Sequence, residues 1–64
     1  MTNEINNKII WWGYRHMNGS IQAKRYFGSL DIYEARESPF CKTVSSPFEA
    51  INREDALKQL EKLV

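Results

Sequence analysis

The chain has 64 residues, a formal net charge of +1 and one cysteine, Cys41. This length allows one small core and argues against a multi-step enzyme with a deep pocket. One cysteine excludes an intramolecular disulfide, and the sequence shows neither a membrane-spanning apolar run nor a signal-peptide apolar region. We therefore expect one soluble cytoplasmic domain over residues 1–64, with residues 1–7 flexible.

The first predicted element is a β-hairpin centred on Asn18-Gly19. This dipeptide favours a type I′ turn because both residues tolerate a positive φ. A two-residue loop fixes the strand register, so that Met17 faces Ser20. One face then carries the pairs His16–Ile21, Tyr14–Ala23, Trp12–Arg25 and Ile10–Phe27, and the other carries Arg15–Gln22, Gly13–Lys24 and Trp11–Tyr26.

The two faces of this hairpin differ in chemistry. The first is mainly apolar and is predicted to be core, with Ile10, Trp12, Tyr14, Ile21 and Phe27. The second is predicted to be an open face that presents two aromatic and two cationic side chains, Trp11, Tyr26, Arg15 and Lys24.

A short helix over residues 30–37 is predicted next, with Ser29 or Asp31 as its cap, and Ser38-Pro39 ends it. Residues 40–44 alternate and are rich in strand formers, which predicts a third strand closed by Ser45-Ser46-Pro47.

A helix is predicted from about residue 53 to the C-terminus, with Asn52 as its N-cap. Its apolar stripe consists of Ala56, Leu57, Leu60, Leu63 and Val64. The predicted fold is therefore α+β: a three-stranded antiparallel sheet in the order β-β-α-β-α, with the C-terminal helix packed on one face.

The open face is the main candidate for function. Aromatic side chains with arginine are typical of protein-protein hot spots. Aromatic rings beside cations also suit nucleic acids, since bases stack on rings and cations neutralise phosphates. A purely structural alternative is that Trp11 and Tyr26 form a cross-strand pair, or that the short helix covers them.

The sequence gives little support to catalysis, metal binding or a cofactor. His16 has no second histidine or carboxylate at ligand spacing, and Cys41 has no local base motif. Charge is uneven, because residues 1–30 carry a net +3 and residues 31–64 a net −2, which could orient the molecule on a partner.

The run WWGYRHMNGSIQAKRYFGSLDIYEARES resembles AP2-type DNA-binding domains in the order of its aromatic, cationic and turn-forming residues. In that family a three-stranded sheet lies in the major groove, and the resemblance implies that Trp11, Arg15, Lys24 and Tyr26 would touch DNA. This chain departs from the family because only two turns of helix and then Pro39 follow the hairpin, where the family has its third strand and a long helix.

The segments GYRHxNGSIQxKRYF and PFEAxxREDAL (residues 47–57) resemble small accessory proteins of tailed bacteriophages. This resemblance implies a protein that works in the host cytoplasm by binding, often to block a host defence or metabolic protein. We therefore expect a non-enzymatic protein-binding module without a cofactor and, in the narrower form of this expectation, an inhibitor of a host protein. A DNA- or RNA-binding protein is the alternative, and a homodimer is compatible with both.

Overall fold

The computed structural model describes residues 9–64, so the predicted flexibility of residues 1–7 lies outside the described residues. The elements in chain order are β1 (Ile9–His16), β2 (Ile21–Arg25), α1 (Ser29–Glu37), β3 (Cys41–Val44), β4 (Phe48–Ala50) and α2 (Arg53–Leu63). The predicted α+β class, with an antiparallel sheet and a C-terminal helix, is confirmed. Neither helix of this part of the chain is long and apolar enough to cross a membrane.

The long strand β1 is the centre of the sheet. Strand β2 pairs antiparallel along one of its sides, so that β2 lies at an edge of the sheet. On the other side, β3 pairs with the C-terminal part of β1 and β4 with its N-terminal part. The sheet therefore has four strands where the sequence predicted three, because the three residues after Pro47 form the additional strand β4.

The predicted hairpin register is wrong by one residue. Trp11 lies opposite Arg25 and Gly13 opposite Ala23, and the backbone N–H of His16 donates to the carbonyl of Ser20 (2.7 Å). The loop therefore contains three residues, 17–19. Of these three loop residues, only Gly19 has a positive φ, of 96°, whereas a type I′ turn requires a positive φ at Asn18 as well.

The shifted register moves every β2 side chain to the opposite face of the sheet relative to β1. Each face then carries one of two adjacent tryptophans and one helix. The Trp11 face packs on α2 through Ala56 and Leu60, and the Trp12 face packs on α1 through Ile32 and Ala35.

This arrangement corrects the predicted core. The C-terminal helix covers the face of Trp11, which was predicted to be open, and α1 covers Trp12. Phe27 and Ile10, which were predicted to be core, are exposed. Leu63 was placed on the buried stripe of the C-terminal helix and is 53% exposed.

The helix ends follow the predictions in part. The side chain of Asn52 accepts a hydrogen bond from the Asp55 N–H at 2.8 Å, which confirms Asn52 as the N-cap of α2. The N-cap of α1 is Gly28, with φ of 154°, and no side chain caps this helix. The predicted caps Ser29 and Asp31 are inside α1 instead.

Ser45 fills the gap in the sheet between β3 and β4. Its hydroxyl accepts from the Gly13 N–H at 3.0 Å, and its own N–H donates to the Gly13 carbonyl at 2.8 Å. Because Ser45 is buried, these two bonds satisfy backbone groups of Gly13 that water does not reach. The serine thereby keeps β1 hydrogen-bonded where the neighbouring edge is broken.

Candidate binding groove

The four predicted partner-binding residues do not share one surface. Trp11 and Arg15 lie on the sheet face that packs against α2, whereas Lys24 and Tyr26 lie on the face that packs against α1. The division follows from the corrected register, since a one-residue shift exchanges the faces of a strand. The single open face of the sequence-based hypothesis is therefore absent from the described fold.

Trp11 has a structural role. It is 5% exposed, and its indole Nε1–H donates to the Ala50 carbonyl at 3.2 Å. The guanidinium carbons of Arg25 and Arg53 lie 5.9 and 5.5 Å from its ring centroid, within the range of cation–π attraction. Trp11 therefore supports two exposed arginines at the edge of the sheet.

Arg15 also makes internal contacts. Its Nε donates to the Val64 carbonyl at 3.1 Å, and its Nη1 donates to the Gly19 carbonyl at 3.0 Å. The side chain thus connects the hairpin loop to the end of α2. These bonds engage two nitrogens that a phosphate or a partner carboxylate would otherwise use.

A groove of about 630 Å³ lies beside β2 on the surface of the described residues. All four residues 22–25 of β2 line it, as do aromatic, acidic and cationic side chains from the other elements. The complete lining is Trp12, Tyr14, Gln22, Ala23, Lys24, Arg25, Phe27, Asp31, Glu34, Ala35, Cys41 and Arg53.

The groove exists because α1 covers only part of its sheet face. This helix packs against β3 and over Trp12, on the side of β1 that is away from β2. The α1 side of the groove carries Asp31 and Glu34, and the β2 side carries Lys24. The groove therefore separates an acidic border from a cationic one.

Two further groove residues, Arg25 and Phe27, form an exposed aromatic and cationic pair. Phe27 is 82% exposed, and the Arg25 guanidinium carbon lies 5.9 Å from its ring centroid. Arg53, from the start of α2, donates through Nη1 to the Ala23 carbonyl. Three exposed cations, Lys24, Arg25 and Arg53, therefore lie along β2.

Trp12 lines the groove but is itself 3% exposed. Its indole nitrogen is buried and has no hydrogen-bond partner among the described residues. The Tyr14 ring centroid lies 6.0 Å from that of Trp12, at a tilt of 39°. An unpaired buried donor costs about 1–3 kcal/mol of folding stability, so the Trp12 indole nitrogen destabilises the fold under the groove.

Two other chemistry-bearing side chains, Cys41 and His16, are register partners on β3 and β1. Cys41 lines the groove and is half-buried, with no sulfur bond to a second cysteine. His16 lies at the loop end, where its Nδ1 accepts from the Asn18 N–H at 3.1 Å and its ring stacks on Phe40. Within residues 9–64, no group of three or more His, Cys, Asp or Glu side chains is placed to hold a metal ion.

Of the groove residues, sequence reasoning identified only Lys24 and missed the others, including Arg25, Phe27 and Arg53. The predicted register placed Arg25 and Phe27 on the buried face, and Arg53 had no role except as the start of a helix. A three-residue loop would have placed Arg25 opposite Trp11, and this alternative was available from the position of Gly19 in the sequence.

Comparisons with protein-family models, curated proteins and solved structures give no match for this chain.

Proposed function

We propose that this chain is a non-enzymatic protein-binding module and that the groove beside β2 is its binding surface. The observation that carries the proposal is the 82% exposure of Phe27 next to Arg25 at the groove. An exposed aromatic ring beside an arginine is the composition of an interface hot spot. Phe27 would bury most of its ring only against a partner.

Helix α1 also carries exposed apolar side chains outside the groove lining. Leu30 and Tyr33 are exposed and lie three residues apart on α1, so their side chains are neighbours on one side of the helix. Exposed apolar side chains that are rimmed by charged groups mark protein interaction sites. The mixed charges of Lys24, Asp31 and Glu34 also suit a protein surface better than a uniformly anionic polymer.

The narrower form of the proposal is an inhibitor of a host defence or metabolic protein, encoded by a bacteriophage. It is supported by the sequence resemblance to phage accessory proteins. A groove that is already formed in the folded domain suits inhibition, because a preformed surface loses little conformational entropy when it binds.

A capture experiment from bacterial lysate, with and without nuclease, tests the proposal. We expect the chain to retain a protein that resists nuclease and that is lost with Phe27→Ala. Phe40→Ala is the matched control, because Phe40 is 62% exposed but lies outside the groove lining. Equal capture by both variants would contradict the groove as the binding surface, and self-association of the chain alone would indicate a homodimer.

Nucleic-acid binding is a second candidate, favoured by the three exposed cations along β2. Lys24, Arg25 and Arg53 could neutralise phosphates while Phe27 stacks on a base. The acidic side chains of Asp31 and Glu34 in the same groove oppose this function, since they repel phosphates.

A further inference from the structure

The backbone of β2 is open on the side that faces away from β1. Ser20 accepts from the His16 N–H and Tyr26 donates to the Ile10 carbonyl, so the even-numbered residues of this segment bond to β1. In an antiparallel pair the intervening residues direct their N–H and C=O groups away from the partner. Ile21, Ala23 and Arg25 therefore direct theirs to the open edge of the sheet.

The position of Arg53 supports this assignment. Its Nη1 reaches the Ala23 carbonyl from α2, which places that carbonyl on the outer side of β2. A cation over an edge strand is a recognised protection against uncontrolled strand pairing.

The groove follows this edge along four consecutive residues of β2, 22–25. The side chains of Gln22, Lys24 and Arg25 are exposed, whereas Ala23 is buried. An extended peptide lying in it would therefore run alongside β2, at the distance of a neighbouring strand.

The charges of the edge specify the occupant. The β2 sequence IQAKR contains two cations and no acid, and Arg53 adds a third cation from α2. The acids of the groove, Asp31 and Glu34, belong to α1 and not to the strand edge, so it is the edge that attracts an acidic segment. Lys24 and Arg25 are consecutive and point to opposite faces, so two consecutive acidic residues on an incoming strand would meet one cation on each face.

We infer that β2 accepts an extended peptide segment containing two adjacent acidic residues as a fifth strand of the sheet. This inference rests on the proposed protein-binding function and specifies its partner. Main-chain hydrogen bonds to Ile21, Ala23 and Arg25 provide the pairing, and the cations select the sequence. Arg53 leaves the Ala23 carbonyl when the strand binds and pairs with an acidic side chain instead.

A labelled peptide, Thr-Val-Thr-Glu-Glu-Val-Thr-Val, titrated into the full chain at low salt, tests the inference. Saturable binding is expected, with at least tenfold weaker binding when both glutamates are replaced by glutamine. Of two further versions of this peptide, N-methylated at its odd-numbered or at its even-numbered residues, the one methylated on the set that faces β2 should lose binding, because it cannot donate to the open edge. Binding that survives both methylations would overturn the strand addition.

Amide hydrogen exchange in the complex gives a readout that charge attraction alone would not produce. The amides of Ala23 and Arg25 should exchange at least tenfold more slowly with the Glu-Glu peptide, while those of Gln22 and Lys24 stay unchanged because they already face β1. Uniform slowing, or no slowing, would overturn the inference. If exchange at these amides slows with rising protein concentration in the absence of peptide, a second copy of the chain occupies the edge. That result would also overturn the inference.

Lys24→Glu and Lys58→Glu form a matched pair of variants. Both side chains are exposed and both changes alter the net charge equally, but only Lys24 lines the groove. We expect at least tenfold weaker peptide binding with Lys24→Glu and less than twofold weakening with Lys58→Glu. Equal weakening would mean that net charge, and not the edge, attracts the peptide, and would overturn the inference.

The outcome is separable from that of the capture experiment. Suppose that a protein is captured, that its capture requires Phe27, and that the Glu-Glu peptide does not bind. This result would overturn strand addition but would still support the protein-binding function. Failure of both would remove the groove as a protein-binding surface.

Discussion

Leu60 packs against Gly13 so closely that a Cβ atom on Gly13 would lie 2.5 Å from the Leu60 Cδ1. The same atom would also collide with the backbone carbonyl of Gln22. A glycine at the centre of β1 therefore allows α2 to approach the sheet. Leu60 is fully buried at this contact, so the absence of one side chain creates the space for another.

Gly13→Ala is expected to destabilise the fold by about 1–3 kcal/mol, the usual cost of overpacking a core. The Leu60 side chain can shift only partly, and the Gln22 carbonyl belongs to a paired strand. A urea melt measures the change in the free energy of unfolding. A change within about 0.5 kcal/mol would mean that helix and sheet are less closely packed than described.

Leu60→Ala should cost about 2–5 kcal/mol, because truncation leaves a cavity in the larger of two small cores. Leu63→Ala is the matched control on the same helix, since Leu63 is half exposed, and it should change stability by no more than about 0.5 kcal/mol. Similar urea midpoints for the two variants would contradict the orientation of α2.

The positions of the helices and strands could be predicted from the sequence better than which side of each element is buried. Asn52 and the leucines identify α2, and Pro39 marks the end of the preceding helix, because these signals are local. The hairpin register depended on the loop, where a glycine with positive φ fits a two-residue or a three-residue connection. The Asn18 Oδ1 accepts from the Ser20 N–H at 2.9 Å, and this bond is compatible with the longer loop.

The two tryptophans held information that the sequence interpretation did not use. Consecutive strand residues point to opposite faces, so Trp11 and Trp12 require burial on both sides of the sheet. Each helix supplies one of these sides. The groove could not be predicted, because it depends on how far α1 extends across the face, which is a property of tertiary packing.

The register itself predicts specific nuclear Overhauser effects. Gly13 and Ala23, and likewise Trp11 and Arg25, face each other without mutual backbone hydrogen bonds, so their Hα protons should give strong cross-strand signals. A two-residue loop would instead place Gly13 opposite Lys24. Such a loop would also place Trp12 opposite Arg25 without mutual hydrogen bonds, so strong signals between the Trp12 and Arg25 Hα protons would refute the three-residue loop.

Ser45→Ala should destabilise the domain by about 1–3 kcal/mol, because it leaves the buried Gly13 N–H without its acceptor. Ser46→Ala is the control, since this neighbouring serine is exposed and should tolerate the change. Chemical denaturation of both variants gives the comparison. If the Ser46 variant loses as much stability as the Ser45 variant, the hydroxyl of Ser45 is not what holds β1 at the gap.

Salt dependence separates the two proposed functions. If the groove bound nucleic acid, each phosphate contact would add about 0.7–0.9 to the slope of log affinity against log salt, and replacing Lys24 and Arg25 by alanine would flatten that slope by nearly two. As a protein-binding module, the wild-type chain should show no salt-dependent binding to random single-stranded or duplex oligonucleotides. Titration of both labelled oligonucleotides at two salt concentrations measures this. Micromolar binding that weakens with salt and depends on these two cations would show that the groove binds nucleic acid. A protein-binding hot spot centred on Phe27 is not expected to bind phosphate groups.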